Sequence, residues 1–235
     1  MAAAKEAAKP EPRVALLAGA SGLTGTALLR LLLHDDTFAR VLALSRRPLP
    51  LEHPRLANRI LRFDDLERSL KGQRCSDAFC TLGAPGGPQA AEGALREVDL
   101  QLVCAFARAA RSLGATRLIV VSAAGARTAA PEVFQRVKGE METGVRQLGF
   151  DAVDLLQPGP LLGLRAQEGV GSVVRKGLLA LTAPLLRRSG HGSLAALSPA
   201  QLAAAMLAVA RLPRRGVSSY SGASLASLAG TAREG

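Results

Sequence analysis

Residues 19–25 read Gly-Ala-Ser-Gly-Leu-Thr-Gly, and they join two stretches of different periodicity. Before them, residues 13–19 form a continuous apolar run that ends in glycine, the pattern of a strand buried on both faces. After them, residues 23–34 carry a leucine-rich helical face. A strand that passes into a helix through such a turn has few places to go. Gly19 permits the tight bend, Gly22 lets another molecule approach the backbone, and Gly25 lets helix and strand pack closely. The new helix offers free N–H groups and positive potential at its first turn, which suits a diphosphate. A glycine triplet alone is a weak signal; the strand before it and the helix after it strengthen it.

The rest of the chain repeats the alternation. Apolar strand runs are expected at 40–45, 58–63, 77–82, 117–122 and 152–156. A helix is expected over 91–113, with Val98, Leu102, Ala105, Phe106 and Ala109 at helical spacing and Gly114 closing it. A second runs over 132–148. A third starts at Ser198, with Pro199 and Gln201 completing the start signal, and reaches Arg211. Strands alternating with helices indicate βαβ units on a parallel sheet. Hydrophobic residues make up 48% of the chain and aromatics 3%, so the core must be built from leucine, valine and alanine. The expected class is α/β, a Rossmann-type doubly wound parallel sheet with a small C-terminal subregion on the substrate side. Residues 1–12 read as a disordered tail and 13–215 as one NAD(P)-binding domain, its substrate-side portion at about 159–215. Residues 216–235 read as a weakly ordered tail.

Charge and composition exclude several classes. Thirty Lys and Arg against nineteen Asp and Glu leave a formal charge of +11, but the arginines are scattered, with no basic run and no interleaved aromatics. Nucleic-acid binding is therefore not expected. Cys75, Cys80 and Cys104 form no C-x-x-C pair, which speaks against a disulfide framework and for a reducing cytoplasm. His34, His53 and His191 lie far apart, so no metal site is expected. The first residues lack the apolar core of a signal peptide, and no run reaches the length of a membrane span. The reading is a soluble protein.

The second expected strand ends in Ser45-Arg46-Arg47. An NAD site would place an acid there to accept hydrogen bonds from the ribose 2′-hydroxyl. Two guanidinium groups instead suit a 2′-phosphate, which makes NADP(H) the expected cofactor. An exposed basic turn is the alternative.

Together these pieces resemble the short-chain dehydrogenase/reductase superfamily in its atypical branch, and more narrowly the bacterial relatives of the HIV Tat-interactive protein oxidoreductase family. The likeness covers about residues 13–211. It is carried by G-A-S-G-L-T-G at 19–25, S-R-R at 45–47, F-D-D-L at 63–66 and C-T-L-G at 80–83. V-V-S at 120–122, F-Q-R-V-K-G-E at 134–140 and Q-P-G-P-L-L-G at 157–163 complete it. The resemblance implies a dinucleotide across the carboxyl ends of the strands, held by Gly19, Ser21, Gly22, Leu23, Thr24 and Gly25. It puts Asp64 and Asp65 at the adenine, although a helix cap is an equal reading of these acids. It puts Leu82 and Gly83 at the adenine ribose, Lys138 at the nicotinamide ribose, and Pro158 and Gly159 at the carboxamide. Ser122 takes the catalytic serine's place, and Lys138 counts with it as a catalytic candidate.

One departure stands out. The proton-donating tyrosine of the family's Y-x-x-x-K is Phe134 here, and a phenyl ring has no proton to give. The chain's single tyrosine, Tyr220, lies outside every motif. Two functions follow. The first is an NADP(H)-dependent reductase of a small carbonyl or activated alkene, with Ser122 polarising the acceptor. The second is a non-catalytic dinucleotide-binding redox sensor or interaction scaffold. The substrate side falls after Gly159, where His191 sits in a polar loop as a further acid/base candidate. Substrate identity, a homodimer and a protein partner are all left open by the residues.

Overall fold

The first apolar run is β1 (Arg13–Ala18), and the leucine-faced stretch after the glycine turn is α1 (Leu23–His34). They come from a computed structural model that describes residues 12–63, 66–161 and 196–231. Next come β2 (Phe38–Ser45), β3 (Leu56–Ile60), the short α2 (Leu66–Ser69) and β4 (Asp77–Cys80). The long helix expected after β4 is present in three parts: α3 (Glu92–Leu95), a π-helical segment (Arg96–Leu102) and α4 (Val103–Ser112). Then follow β5 (Arg117–Val121), α5 (Val133–Arg146), β6 (Ala152–Gln157) and α6 (Pro199–Arg211). The start of α6 is a complete capping box between Ser198 and Gln201, as the sequence signals.

The strands form one seven-stranded sheet in the order β3-β2-β1-β4-β5-β6-β7, with every pairing parallel. This is the doubly wound Rossmann-type sheet expected. The structure differs from expectation after residue 215. In place of a weakly ordered tail, β7 (Gly216–Ser221) pairs with all of β6, and α7 (Gly222–Thr231) follows it. The strand was hidden because Gly-Val-Ser-Ser-Tyr-Ser is short on apolar residues; as an edge strand it needs only its backbone and one buried anchor, Tyr220.

Alternation along the strands divides the core. Leu17, Ala43, Phe79, Ile119 and Leu156 face α1, α6 and α7, whereas Leu16, Leu42, Ala78, Leu118 and Leu155 face α2, α4 and α5. The period of two explains why every central strand is apolar at successive positions. Among the described residues, no helix is long and apolar enough to cross a membrane, and no cluster of three or more metal-ligating side chains occurs.

Candidate functional site

The order of the strands reverses between β1 and β4, so a crevice is expected outside their carboxyl ends. Strand register places the candidates along that edge. Ala18 pairs with both Leu44 and Cys80, Cys80 with Val120, and Val121 with Leu156. The glycine turn, Arg46, Leu82, Ser122 and Pro158 therefore leave the sheet at one level.

Backbone geometry distinguishes the three glycines. Gly19 has φ +87°, and a Cβ there would lie 2.5 Å from Thr81 Oγ1. At Gly25 a Cβ would lie 2.0 Å from the Gly19 carbonyl oxygen, so the helix cannot approach the turn with any larger residue. Among the described residues, a Cβ at Gly22 would meet only the Gly19 oxygen, at 3.4 Å, an ordinary contact. Gly22 is the exposed one of the three. It caps α1 with no side-chain hydrogen bond, and the first turn holds no acid. Gly22 N–H donates to the Gly19 carbonyl at 3.0 Å, while the first turn of a helix leaves N–H groups without intrahelical partners and a positive local potential, as a diphosphate requires. Ser21 and Leu23 are exposed beside Gly22, and Thr24 is half-buried. Thr81 steadies the turn from β4: its N–H and its hydroxyl both donate to the Ala18 carbonyl, each at 3.0 Å. Sequence reading placed Thr81 in the expected 77–82 strand but gave it no role, because that role depends on a neighbouring strand.

Arg46 and Arg47 are exposed, and among the described residues neither guanidinium has a hydrogen bond or ion pair. Their turn is set by Ser45, whose hydroxyl donates to the Arg47 carbonyl at 2.7 Å and accepts from Asn58 Nδ2. Asp64 and Asp65 lie outside the described residues, as does His191. Leu82 is half-buried against the α4 side of the core, and Gly83 is exposed beside it.

At the other end of the crevice, β5 and β6 continue to bond past their last residues. Ser122 N–H donates to Leu156 at 2.7 Å and Ala124 N–H to Pro158 at 2.9 Å, which holds Pro158 and Gly159 beside the loop after Ser122. Lys138 lies one turn along α5 from Phe134, with its Nζ 5.9 Å from the ring centroid. Helix α5 reaches this position because Gly139 packs on the backbone of Arg127, where a Cβ would come within 2.2 Å.

Both polar candidates are engaged by partners that sequence reading did not find. Lys138 donates to the Val121 carbonyl at 3.3 Å and forms an ion pair with Asp99 at 2.6 Å. The side chains of this pair are 3% and 2% exposed. Asp99 projects from the π-helical segment and also accepts from Ala84 N–H at 2.8 Å, in the loop after β4. Ser122 donates to Glu142 at 2.5 Å. Glu142 is buried too, and accepts from Gln157 Nε2 at 2.7 Å and from Arg146 at 2.9 Å. A serine hydroxyl has one proton, so Ser122 turns only lone pairs toward any other group. The sequence did carry a signal for both acids. Each sits among the apolar positions of its helix, Asp99 between Leu95 and Val103 and Glu142 between Met141 and Val145. Tyr220 is far from this role: its hydroxyl donates to buried Asp154 at 3.1 Å.

Comparison with known proteins places the chain in a family. A family model described as NAD(P)H-binding matches residues 19–152, more than half of the chain. Rattus norvegicus protein HTATIP2 is 30% identical over 171 residues, which are 71% of this chain and 70% of that protein. Saccharomyces cerevisiae protein FMP52, named as mitochondrial, is 32% identical over 162 residues, 66% of this chain and 70% of that protein. Among solved structures, MoeE5 in complex with UDP-glucuronic acid and NAD superposes with TM-score 0.65 at 18% identity, covering 94% of this chain and 81% of that one. The UDP-glucuronic acid 4-epimerase of Bacillus cereus in complex with NAD gives 0.61 at 12% identity, covering 89% and 78%. At those identities the structures speak for the fold alone. A doubly wound parallel sheet with a glycine turn at its switch point, an NAD(P)H-binding family match and homologues at this level together make the chain a member of the atypical short-chain dehydrogenases/reductases, in the HTATIP2 family.

Proposed function

We propose that this chain binds NADP(H) in preference to NAD(H). The observation that carries the reading is the pair of exposed guanidiniums of Arg46 and Arg47, without partners among the described residues, on the same sheet edge as the Gly22 turn. No acid takes the place that would suit a free ribose 2′-hydroxyl there. Replacing Arg46 and Arg47 together by alanine is expected to weaken NADPH binding by roughly 30-fold or more, at two charge-assisted contacts of about 1–2 kcal/mol each, and to leave NADH binding within about twofold. Calorimetric titration of both cofactors measures this. Equal losses for both would remove the arginine argument.

On this reading the protein is an oxidoreductase of a small carbonyl or activated alkene. The bound dinucleotide supplies a hydride. The glycine turn and α1 hold the diphosphate, Lys138 and the 157–159 turn line the nicotinamide end, and β4 closes the adenosine side. A second reading, a dinucleotide-binding redox sensor or scaffold without turnover, is favoured by a specific arrangement. Phe134 has no acidic proton to give, Ser122 has committed its proton to Glu142, and Lys138 is held by Asp99. NADPH consumption over a panel of aldehydes, ketones and enones separates the two: any turnover above the Gly22→Asp variant selects the reductase, and tight binding without turnover selects the sensor. The buried, unpaired thiols of Cys75, Cys80 and Cys104 support a reducing compartment, for which we propose the cytoplasm.

A further inference from the structure

Lys138 stands where a cationic lysine would act on whatever occupies position 134, yet its surroundings leave it little charge to offer. Its ammonium meets the Asp99 carboxylate at 2.6 Å in a place closed to water on both sides. Asp99 does not swing freely to make this contact. Its second oxygen is fixed by the Ala84 N–H at 2.8 Å, and its backbone belongs to a π-helical segment, a distortion that rotates the following helix by a fraction of a turn. The nearby acid Glu142 is not a second partner, since its oxygens are taken by Ser122, Gln157 and Arg146. Among the described residues, the only other polar contact of Lys138 is the Val121 carbonyl. A carboxylate this close in a buried site offsets much of the ammonium's charge, so the Phe134 ring, 5.9 Å from Nζ, meets a compensated lysine and not a bare cation.

We propose that Asp99 is a positioning residue that compensates the charge of Lys138 within the protein, so that the lysine exerts little net cationic field at position 134. The absent phenol is then only half of what separates this site from tyrosine-based proton transfer; the other half is the acid on the π-helical segment. The inference rests on the reading of this region as the nicotinamide end of the site, and it predicts that restoring tyrosine alone restores no acid.

The test is made on the protein without dinucleotide, by following phenolate absorbance against pH. The native chain contributes only Tyr220, whose hydroxyl is pushed above the ordinary phenol range by burial, with the charge of Asp154 adding to it. A phenolate that forms earlier therefore reports position 134. In Phe134→Tyr the introduced phenol is expected to titrate near the ordinary value of about 10. Adding Asp99→Asn should lower its titration by about one pH unit or more, because the lysine is no longer compensated. Removing the pair as a unit, with Asp99→Asn and Lys138→Met together, should return it to the value of Phe134→Tyr alone. This variant leaves no uncompensated buried charge, so it keeps the test open if Asp99→Asn alone fails to fold. A phenol that titrates a unit or more lower in Phe134→Tyr than in the variant without the pair overturns the proposal, as does a folded Asp99→Asn protein with no change. None of these measurements needs a bound cofactor, so a failure of NADPH binding would count against the proposed function and leave this result standing.

Discussion

Two glycines three positions apart make opposite predictions. A methyl at Gly25 would meet the Gly19 carbonyl oxygen at 2.0 Å, a clash with backbone that no rotamer relieves. Gly25→Ala is expected to cost about 3 kcal/mol of stability. Gly22 has extended backbone angles and no such clash, so Gly22→Ala should cost about 1 kcal/mol or less, the difference between the two residues as helix caps. Its effect should fall on the ligand: NADPH affinity drops by about tenfold or more, since a diphosphate must come close to this backbone. Urea midpoints and calorimetric titration of both variants separate the fold glycine from the ligand glycine. Both were legible from the spacing, because the reasons a chain needs glycine at a strand–helix turn are local.

At the scale of elements, α6 shows how a helix can be signalled at one end and hidden at the other. Its start is written in Ser198, Pro199 and Gln201. Its end is capped from the sheet: Arg117 on β5 donates to the carbonyls of Ala210 and Leu212, each at 2.7 Å, and to Arg214 at 3.2 Å. Arg13 on β1 donates to Ala210 as well, at 3.0 Å, and pairs with Asp77 on β4. The same Arg117 guanidinium lies 3.5 Å from buried Asp154. Arg117→Met is expected to destabilise the protein by about 3–5 kcal/mol, because it strips helix carbonyls of donors and takes the ion-pair partner from the buried Asp154 carboxylate. Chemical denaturation gives the number, and a loss under about 1 kcal/mol would reduce the network to ornament. No sequence pattern ties residue 117 to residue 210; the contact exists only once β5 and α6 lie together.

Over the whole molecule, one acid joins the two helices that cover the same face of the sheet. Asp35, at the end of α1, accepts from Thr37 N–H at 2.8 Å and from Arg211 of α6 at 3.1 Å. Burial pushes its carboxyl up, but the Thr37 hydrogen bonds and the Arg211 charge outweigh it, and the group lies below its ordinary 3.8. The folded state therefore binds the proton less readily than the unfolded chain. The stability this gives is fully present above the unfolded value and is lost as pH falls through the folded one. Asp154 has the opposite sign: burial holds its carboxyl above the usual value against Arg117 and Tyr220, so its share of stability shrinks as pH rises through that window. Asp35→Asn is expected to lower stability at pH 7 and to flatten its decline between about pH 5 and pH 3, seen in denaturation midpoints across that range.

The order of strands and helices, the parallel sheet, the glycine cradle and the basic end of β2 could be read from the chain, because each depends on neighbours within a few turns of backbone. Phe134 in place of the phenol was equally plain. What the sequence could not disclose were partnerships across elements: Asp99 with Lys138, Glu142 with Ser122, Thr81 under the turn, and the pairing that makes a strand of residues 216–221. A side chain's type states what it can donate or accept, but whether that capacity is free for a ligand or already used inside the protein is decided only by what folding brings within 3 Å of it.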